Sequence, residues 1–120
     1  MKPIIITASI LLLIYIGYRT YRIVNLAAGL DQKIAKGAII LDVRTQWEFE
    51  TGHINGAINI SLSQLRTHVI PFDTGKTIIT CCSHGLRSVK AVSILHARGF
   101  TRVYNGGAWS DLNEIVQKAR

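Results

Sequence analysis

The segment TIITCCSHGLRS, residues 77–88, contains the most informative structural pattern in the chain. It begins with a short apolar run at residues 77–81, which predicts a buried strand because polar residues do not alternate with apolar ones. A loop containing Gly85 follows, and a helix is predicted from Ser88 to Arg98. A buried strand followed closely by a helix is typical of α/β proteins with a parallel sheet.

Short strands and helices also alternate on both sides of this segment. Strands are predicted at residues 38–43, 57–60 and 102–104, and helices at residues 26–36, 45–52, 61–68 and 111–118. Two of these helices open with capping boxes, Thr45-x-x-Glu48 and Ser61-x-x-Gln64. We therefore expect an α/β fold in which helices cover both faces of a mainly parallel sheet.

Residues 82–88, CSHGLRS, lie where parallel sheets usually place a site, beyond the carboxyl end of a strand. The backbone N–H groups of a tight turn and the positive end of the next helix form an anion cradle there. Cys82 is predicted to be a nucleophile whose thiolate this cradle stabilises, and Arg87 adds a full positive charge. The alternative is that Cys82 is a small core residue.

The second cysteine, Cys81, is adjacent to Cys82. Neighbouring Cα atoms lie ~3.8 Å apart, below the usual disulfide range, so the pair does not staple the domain. The chain has no third cysteine, and no Cys/His pair has the spacing of a zinc finger. Because side chains alternate along a strand, we predict that Cys81 faces away from the cradle and is structural.

Hydrophobic residues are concentrated at the N-terminus. Of the first 24 residues 16 are apolar, against 48% of the whole chain, and residues 3–18 carry no charge. As a helix this stretch is roughly 24 Å long, which suffices for a membrane because the flanking Lys2, Arg19 and Arg22 can snorkel. We therefore expect a transmembrane anchor at residues 1–24 and a folded domain at residues 25–120.

Two other interpretations of the N-terminal stretch stay open. A lysine before an apolar core is also typical of a signal peptide, although no small-x-small cleavage site follows it. A buried core helix is the third interpretation. For a single-pass anchor in the inner membrane, Arg19, Arg22, Lys33 and Lys36 favour a cytoplasmic domain, with a periplasmic domain as the alternative.

The basic composition does not indicate a nucleic-acid partner. Fourteen basic side chains outnumber seven acidic ones, giving a formal net charge of +7. They are scattered, however, without a basic run or interleaved aromatic residues. We interpret them as a solvated surface that faces an anionic membrane. The length supports one small domain, and the composition excludes disordered and fibrous classes.

These motifs together resemble the single-domain rhodaneses. The first half of the resemblance is carried by DVR at 42–44, WEFE at 47–50 and GHINGAINI at 52–60. The second half is carried by the loop at 82–88, RGF at 98–100 and VYNGGAW at 103–109. The resemblance covers about residues 38–112 in consistent order, and a membrane segment before such a domain is a familiar bacterial arrangement.

The resemblance implies a rhodanese-type thiosulfate sulfurtransferase with a rhodanese-like three-layer fold, no cofactor and no metal. Cys82 would take a sulfane sulfur from thiosulfate or a persulfide and hold it as a cysteine persulfide. A thiol or cyanide would then accept that sulfur, and a protein acceptor is left open. Arg87 would add charge and order the loop.

The resemblance also assigns roles around Cys82 and Arg87. Substrate would bind to the rest of the loop, namely Ser83, His84, Gly85, Leu86 and Ser88. His84 is either a proton carrier or a solvated polar residue. Glu48 would orient Arg87, and Asp42 and Arg44 would support the site from a strand end. His53 would organise packing.

The loop departs from the commonest family pattern at two positions. Ser83 stands where a cation is frequent, which favours a thiol or protein persulfide as donor over strong recruitment of thiosulfate. Leu86 stands where a polar residue is frequent, and we expect it to offer an apolar contact to a partner.

Two other functions are weighed against sulfur transfer. Related phosphatases place five residues between cysteine and arginine, whereas only four separate Cys82 from Arg87, a spacing that suits a sulfur atom better than a phosphate. The main alternative is a membrane-tethered, non-catalytic module that carries a persulfide or binds a protein.

Overall fold

Four strands form one sheet in the computed structural model, which describes residues 2–120. They are Ile39–Asp42 (β1), Ile58–Asn59 (β2), Ile78–Cys82 (β3) and Val103–Ala108 (β4). All neighbouring strands are parallel, and their spatial order is β2–β1–β3–β4. The expected parallel α/β fold is therefore confirmed.

Six helices accompany the sheet: Lys2–Asn25 (α1), Leu30–Ala35 (α2), Gln46–Glu50 (α3), Leu62–Leu65 (α4), Leu86–Ala97 (α5) and Trp109–Ala119 (α6). Residues of α4 and α5 pack on one face of the sheet, and residues of α2 and α6 pack on the other. The sheet thus lies between two layers of helices, with one apolar cluster on each of its faces, and these are the three layers expected from the sequence.

Side chains of β3 alternate between these two clusters. Ile78 and Cys82 join the cluster under α4 and α5, whereas Ile79 and Cys81 join the cluster under α2 and α6. All four are at most 1% exposed. The alternation follows from the two-residue period of a strand, and it places the adjacent cysteines on opposite faces of the sheet.

Several helix boundaries differ from the sequence-based prediction. Helix α2 begins at Leu30 and not at residue 26, because the preceding residues connect α1 to the sheet and the Ala27 N–H donates to the Asn105 carbonyl. Helix α4 ends at Leu65, before residue 68. Helices α5 and α6 each begin two residues earlier than predicted, at Leu86 and Trp109.

Strand β4 is longer than predicted, since it continues past Tyr104 to Ala108. Within this extension, Gly106 allows close packing of β4 against β3. A Cβ at Gly106 would lie 2.7 Å from Ile79 Cγ2 and 2.8 Å from the Thr80 carbonyl oxygen. Only glycine fits at this contact between β4 and β3.

Helix α1 projects from the domain and is largely exposed. One 18-residue window within it has a mean hydropathy of 1.6, which together with its length makes α1 long and apolar enough to cross a membrane. A signal sequence satisfies the same criteria. The interpretation as a buried core helix is wrong for the described residues 2–25, because none of them is buried in the domain.

Candidate active site

Cys82 is the last residue of β3, and the loop after it folds back over the sulfur. The Gly85 N–H donates to Cys82 Sγ at 3.0 Å, and the Ser88 N–H donates to it at 3.4 Å. Gly85 has a φ of 94°, a left-handed conformation that glycine adopts without strain. Both amides lie at the start of α5, where unpaired N–H groups and the helix dipole favour an anion.

This cysteine is almost completely enclosed, by the loop on one side and by the apolar cluster under α4 and α5 on the other. Cys82 is 1% exposed, although it lies at the carboxyl edge of the sheet. A substrate must therefore enter the loop to reach Sγ. A sulfur atom bonded to Sγ would then be close to the same backbone donors, in surroundings from which bulk water is largely excluded.

Arg87 is held beside the loop by Glu48. Its Nη1 and Nη2 donate to Glu48 Oε1 and Oε2 at 2.6 and 2.8 Å, a bidentate ion pair. Nη2 also donates to Ser83 Oγ at 2.7 Å, which fixes the loop residue next to Cys82. The hydrogen bond from Arg87 is the largest cause that lowers the pKa of Glu48 to about 2.

The capping box of α3 explains why Glu48 is rigid enough to orient Arg87. Glu48 Oε1 accepts hydrogen bonds from the Thr45 N–H and hydroxyl, both at 3.1 Å. The Glu48 N–H in turn donates to Thr45 Oγ1 at 3.3 Å. One carboxylate therefore both caps α3 and binds Arg87. The capping box, a local sequence motif, thus orients Glu48 for its contact with the distant Arg87.

Asp42 and Arg44 form a buried ion pair beneath α3. Arg44 Nη2 lies 2.6 Å from Asp42 Oδ2, and their side chains are 3% and 0% exposed. Arg44 also donates to the Glu48 and Gly52 carbonyl oxygens, at 3.2 and 2.8 Å. The pair thus fastens the helix that carries Glu48, and its contact with the site is indirect.

The other predicted loop residues occupy different surroundings. His84 Nδ1 lies 3.0 Å from Ser83 Oγ, and the His84 side chain is exposed. Leu86 is 46% exposed, as expected for a residue that offers an apolar contact. Ser88 is fully buried, so it presents only its N–H to Cys82 while its hydroxyl points into the domain.

His53 lies away from the loop and packs against α3. Its Nδ1 is 2.8 Å from the Phe49 carbonyl oxygen, and its ring stacks on the Phe49 ring with centroids 3.7 Å apart. These contacts agree with the packing role expected for it. The structure thus brings one cluster of predicted site residues together: Cys82, Ser83, Gly85, Arg87, Ser88 and Glu48.

Cys81 differs from its neighbour in electrostatic environment as well as in direction. Burial raises the pKa of the Cys81 thiol well above its usual range, and the nearby Asp42 carboxylate raises it further. A thiol that stays protonated is a poor nucleophile. Cys82 is therefore the better candidate for covalent chemistry.

The sequence interpretation missed Asn105 and a cavity beside it. Asn105 is 7% exposed and donates through Nδ2 to the Asn25 carbonyl oxygen at 2.9 Å. The cavity, about 270 Å³, lies between α1, the end of β4 and α6, and its lining includes Arg22 and Gly85. The sequence did contain a signal for Asn105, since it is a polar amide next to an apolar strand. A buried amide almost always has hydrogen-bond partners, so such a residue predicts a specific contact.

A family model for the rhodanese-like domain matches residues 26–110. The chain therefore belongs to the rhodanese-like family, and the resemblance seen in the sequence is confirmed at this level.

Several proteins similar to this chain are sulfurtransferases. The chain is similar to the thiosulfate sulfurtransferase GlpE of Shewanella oneidensis, with 35% identity over 83 residues that cover 66% of this chain and 82% of that protein. The structure of the human single-domain sulfurtransferase TSTD1 matches with a TM-score of 0.63 and 27% identity, covering 71% of this chain and 89% of that one.

A further relative is YqhL of Bacillus subtilis, 43% identical over 68 residues, which are 57% of this chain. The chain spans about half of that protein, 54% of its length. The family and its sulfurtransferase members support sulfur transfer as the general chemistry of the site.

Proposed function

We propose that the chain is a sulfurtransferase that carries a sulfane sulfur on Cys82 and is tethered to the inner membrane by α1. The observation that carries this proposal is the convergence of the Gly85 and Ser88 N–H groups on Cys82 Sγ, at 3.0 and 3.4 Å. Such donors stabilise a thiolate and the anionic outer sulfur of a persulfide in the same way.

In the first half-reaction the Cys82 thiolate attacks the outer sulfur of the donor. With thiosulfate, the sulfur–sulfur bond of the donor breaks and sulfite leaves with the bonding electrons. The new bond makes a Cys82 persulfide, whose outer sulfur carries the negative charge. No cofactor or external oxidant is needed for this balance.

In the second half-reaction an acceptor nucleophile attacks that outer sulfur. Cyanide becomes thiocyanate, or a thiolate becomes a persulfide, and the Cys82 thiolate leaves with its electron pair. The same backbone donors then stabilise the regenerated thiolate. The enzyme alternates between two covalent states, a mechanism of the ping-pong type.

The electrostatics of the loop bear on the identity of the donor. Glu48 neutralises Arg87 within a bidentate pair, and Ser83 supplies no charge beside it. The attraction for a dianion such as thiosulfate is therefore weaker than for a loop with an unpaired arginine. A persulfide with a single negative charge, on a small thiol or on a protein, suits this loop as donor.

The membrane location is supported by α1 and its flanking charges. The helix has the length and hydropathy of a single span, and Arg19 and Arg22 lie at the end that joins the domain. By the positive-inside bias the domain faces the cytoplasm. A protease added to intact spheroplasts should then spare the domain and should digest it after lysis, whereas digestion before lysis would indicate a periplasmic domain.

The sulfur-transfer proposal is tested by treating the full chain with thiosulfate or with a glutathione persulfide. We expect a mass increase of about 32 Da, one sulfur atom, on Cys82. The Cys82→Ser variant should lose the adduct, and the matched Cys81→Ser variant should keep it. No adduct on Cys82, under conditions that label a known rhodanese, would overturn the proposal.

Turnover separates an enzyme from a persulfide carrier. Sulfite release from thiosulfate is measured with cyanide, glutathione or dithiothreitol as acceptor. Repeated turnover that needs Cys82 supports the enzyme. Labelling of Cys82 without turnover by any acceptor would contradict an enzymatic role and would indicate the carrier.

A further inference from the structure

Asn105 connects the sulfur-binding loop to the end of α1. Its Oδ1 lies 2.6 Å from Ser88 Oγ and accepts the Gly107 N–H at 3.0 Å. Its Nδ2 donates to the Asn25 carbonyl oxygen at 2.9 Å. These contacts use the acceptor and one donor of the amide, and together they determine which atom of the amide is nitrogen and which is oxygen.

Ser88 is the link from this amide to the sulfur. Its hydroxyl has one proton, and the side-chain Oδ1 of Asn105 at 2.6 Å is nearer than the backbone carbonyl oxygen of Gly85 at 3.0 Å. The Ser88 N–H donates to Cys82 Sγ at 3.4 Å. Ser88 is fully buried, so its hydroxyl position depends on these protein partners and not on solvent.

The end of α1 supplies the other partner of Asn105. The last carbonyl groups of a helix lack partners within it, and the Asn105 amide satisfies the one at Asn25. The neighbouring backbone repeats this connection, because the Ala27 N–H donates to the Asn105 carbonyl oxygen at 3.1 Å. Asn25 and Ala27, which follow the proposed anchor, are thus hydrogen-bonded to Asn105 and through it to Ser88.

We propose that Asn105 is a positioning residue for Cys82, acting through the Ser88 hydroxyl and completed by the Asn25 carbonyl. A role for Asn105 in catalysis rests on the proposed sulfur transfer. Asn105 does not touch the sulfur. It places the Ser88 N–H, one of the two backbone donors that stabilise the anionic sulfur.

The test compares Ser88→Ala, Asn105→Ala and the double variant in the full chain. The measurement is the rate at which iodoacetamide alkylates Cys82, as a function of pH, with fragment masses that distinguish Cys82 from Cys81. This readout needs no sulfur donor. It therefore reports on positioning even if sulfur transfer is never observed.

We expect each single variant to slow alkylation near neutral pH about fivefold, the effect of losing one buried hydrogen bond. The rate profile should move to higher pH. The titratable and charged groups around the loop, which these substitutions do not alter chemically, are Cys81, His84, Arg87, Glu48, Asp42 and Arg22; Arg22 Nε lies 3.5 Å from the position of a Cβ at Gly85. Ser88→Ala leaves the contact between Asn105 and the end of α1 in place, so the shift in that variant reports the lost hydrogen bond and not a displaced Arg22.

The double variant separates a shared pathway from two independent effects. If Asn105 acts through Ser88, Asn105→Ala has no further effect once the Ser88 hydroxyl is gone. Additive effects would overturn the proposal. The matched controls are Ser93→Ala, an exposed serine on the same helix, and Asn113→Ala on α6, which should alkylate like the wild type.

Thermal unfolding shows whether each variant is folded. Should Asn105→Ala not fold, Ser88→Ala decides alone, because it removes one hydroxyl and leaves every backbone group in place. An unchanged profile for a folded Ser88→Ala would overturn the proposal. If the variants slow alkylation of Cys82 as expected but the chain transfers no sulfur, the proposed function is overturned and the role of Asn105 stands.

Discussion

Glu48 and Arg87 stand 39 positions apart in the sequence and meet through two parallel hydrogen bonds of 2.6 and 2.8 Å. The same Glu48 carboxylate accepts from Thr45, and the same guanidinium donates to Ser83. These contacts link the start of α3 directly to the loop at residues 82–88. This relationship makes Glu48 the side chain outside the loop on which loop geometry depends most directly.

Glu48→Gln should lower kcat/KM for sulfur transfer roughly tenfold or more, because charge-assisted hydrogen bonds contribute about 1.5–3 kcal/mol. Glutamine keeps the shape of the side chain but leaves Arg87 without an anionic partner. The matched control is Glu50→Gln on the same helix, where the carboxylate is exposed and accepts from Gln46. Equal activity of the two variants would contradict the role of Glu48.

The Glu48–Arg87 pair should also make the free energy of unfolding depend on pH. The pKa of Glu48 is lowered from 4.5 to about 2 in the folded chain. A lowered pKa means that the carboxylate stabilises the fold fully above about pH 4.5, and that this contribution is lost as the pH falls towards 2.

Urea unfolding of the wild type and of Glu48→Gln measures that signature. The difference between their free energies of unfolding should be constant from pH 7 to pH 5 and should shrink between pH 4.5 and pH 2. A difference that is independent of pH throughout this range would show that the ionised Glu48 does not stabilise the fold.

Gly106→Ala should destabilise the domain by about 1–3 kcal/mol, the usual effect of overpacking a core. The added Cβ would press on Ile79 and on the backbone carbonyl of Thr80, which cannot move without disturbing β3. The control is Gly75→Ala, where a Cβ meets no atom within 4 Å. Urea unfolding should give a lower stability for the first variant only, and an unchanged Gly106→Ala would refute the close contact.

Cys81 should resist alkylation in the folded chain. Burial raises the pKa of its thiol, so little thiolate forms even in mildly alkaline solution. In the Cys82→Ser variant, iodoacetamide at pH 8 should modify Cys81 only after urea is added. Rapid modification without urea would show that the back face of β3 opens to solvent.

Local patterns predicted much of the fold. The capping box at Thr45 is complete, and at Ser61 the Gln64 Oε1 accepts the Ser61 N–H at 3.1 Å, because each motif depends on residues only three apart. The apolar run before Cys82 is a central strand, as expected for a segment buried on both faces. The alternation of side chains along that strand placed Cys81 and Cys82 correctly on opposite faces.

Features that depend on contacts distant in sequence were harder to predict. The end of β4 was missed because Gly106 packs against Ile79, a contact that the local pattern does not contain. Asn105 was missed because its partners, Asn25 and Ser88, lie on separate elements. The approach of Glu48 to Arg87 was expected only from the family resemblance, since spacing alone does not bring α3 to the loop.

The opposite directions of the two cysteines limit the routes open to the sulfur in the proposed reaction. Cys81 and Cys82 are the only cysteines in the chain, and they belong to apolar clusters on opposite sides of the sheet. Cys81 therefore cannot serve as a resolving thiol that expels the sulfur by forming an internal disulfide. A sulfur bound to Cys82 stays with the protein until an acceptor from outside the chain reaches the loop.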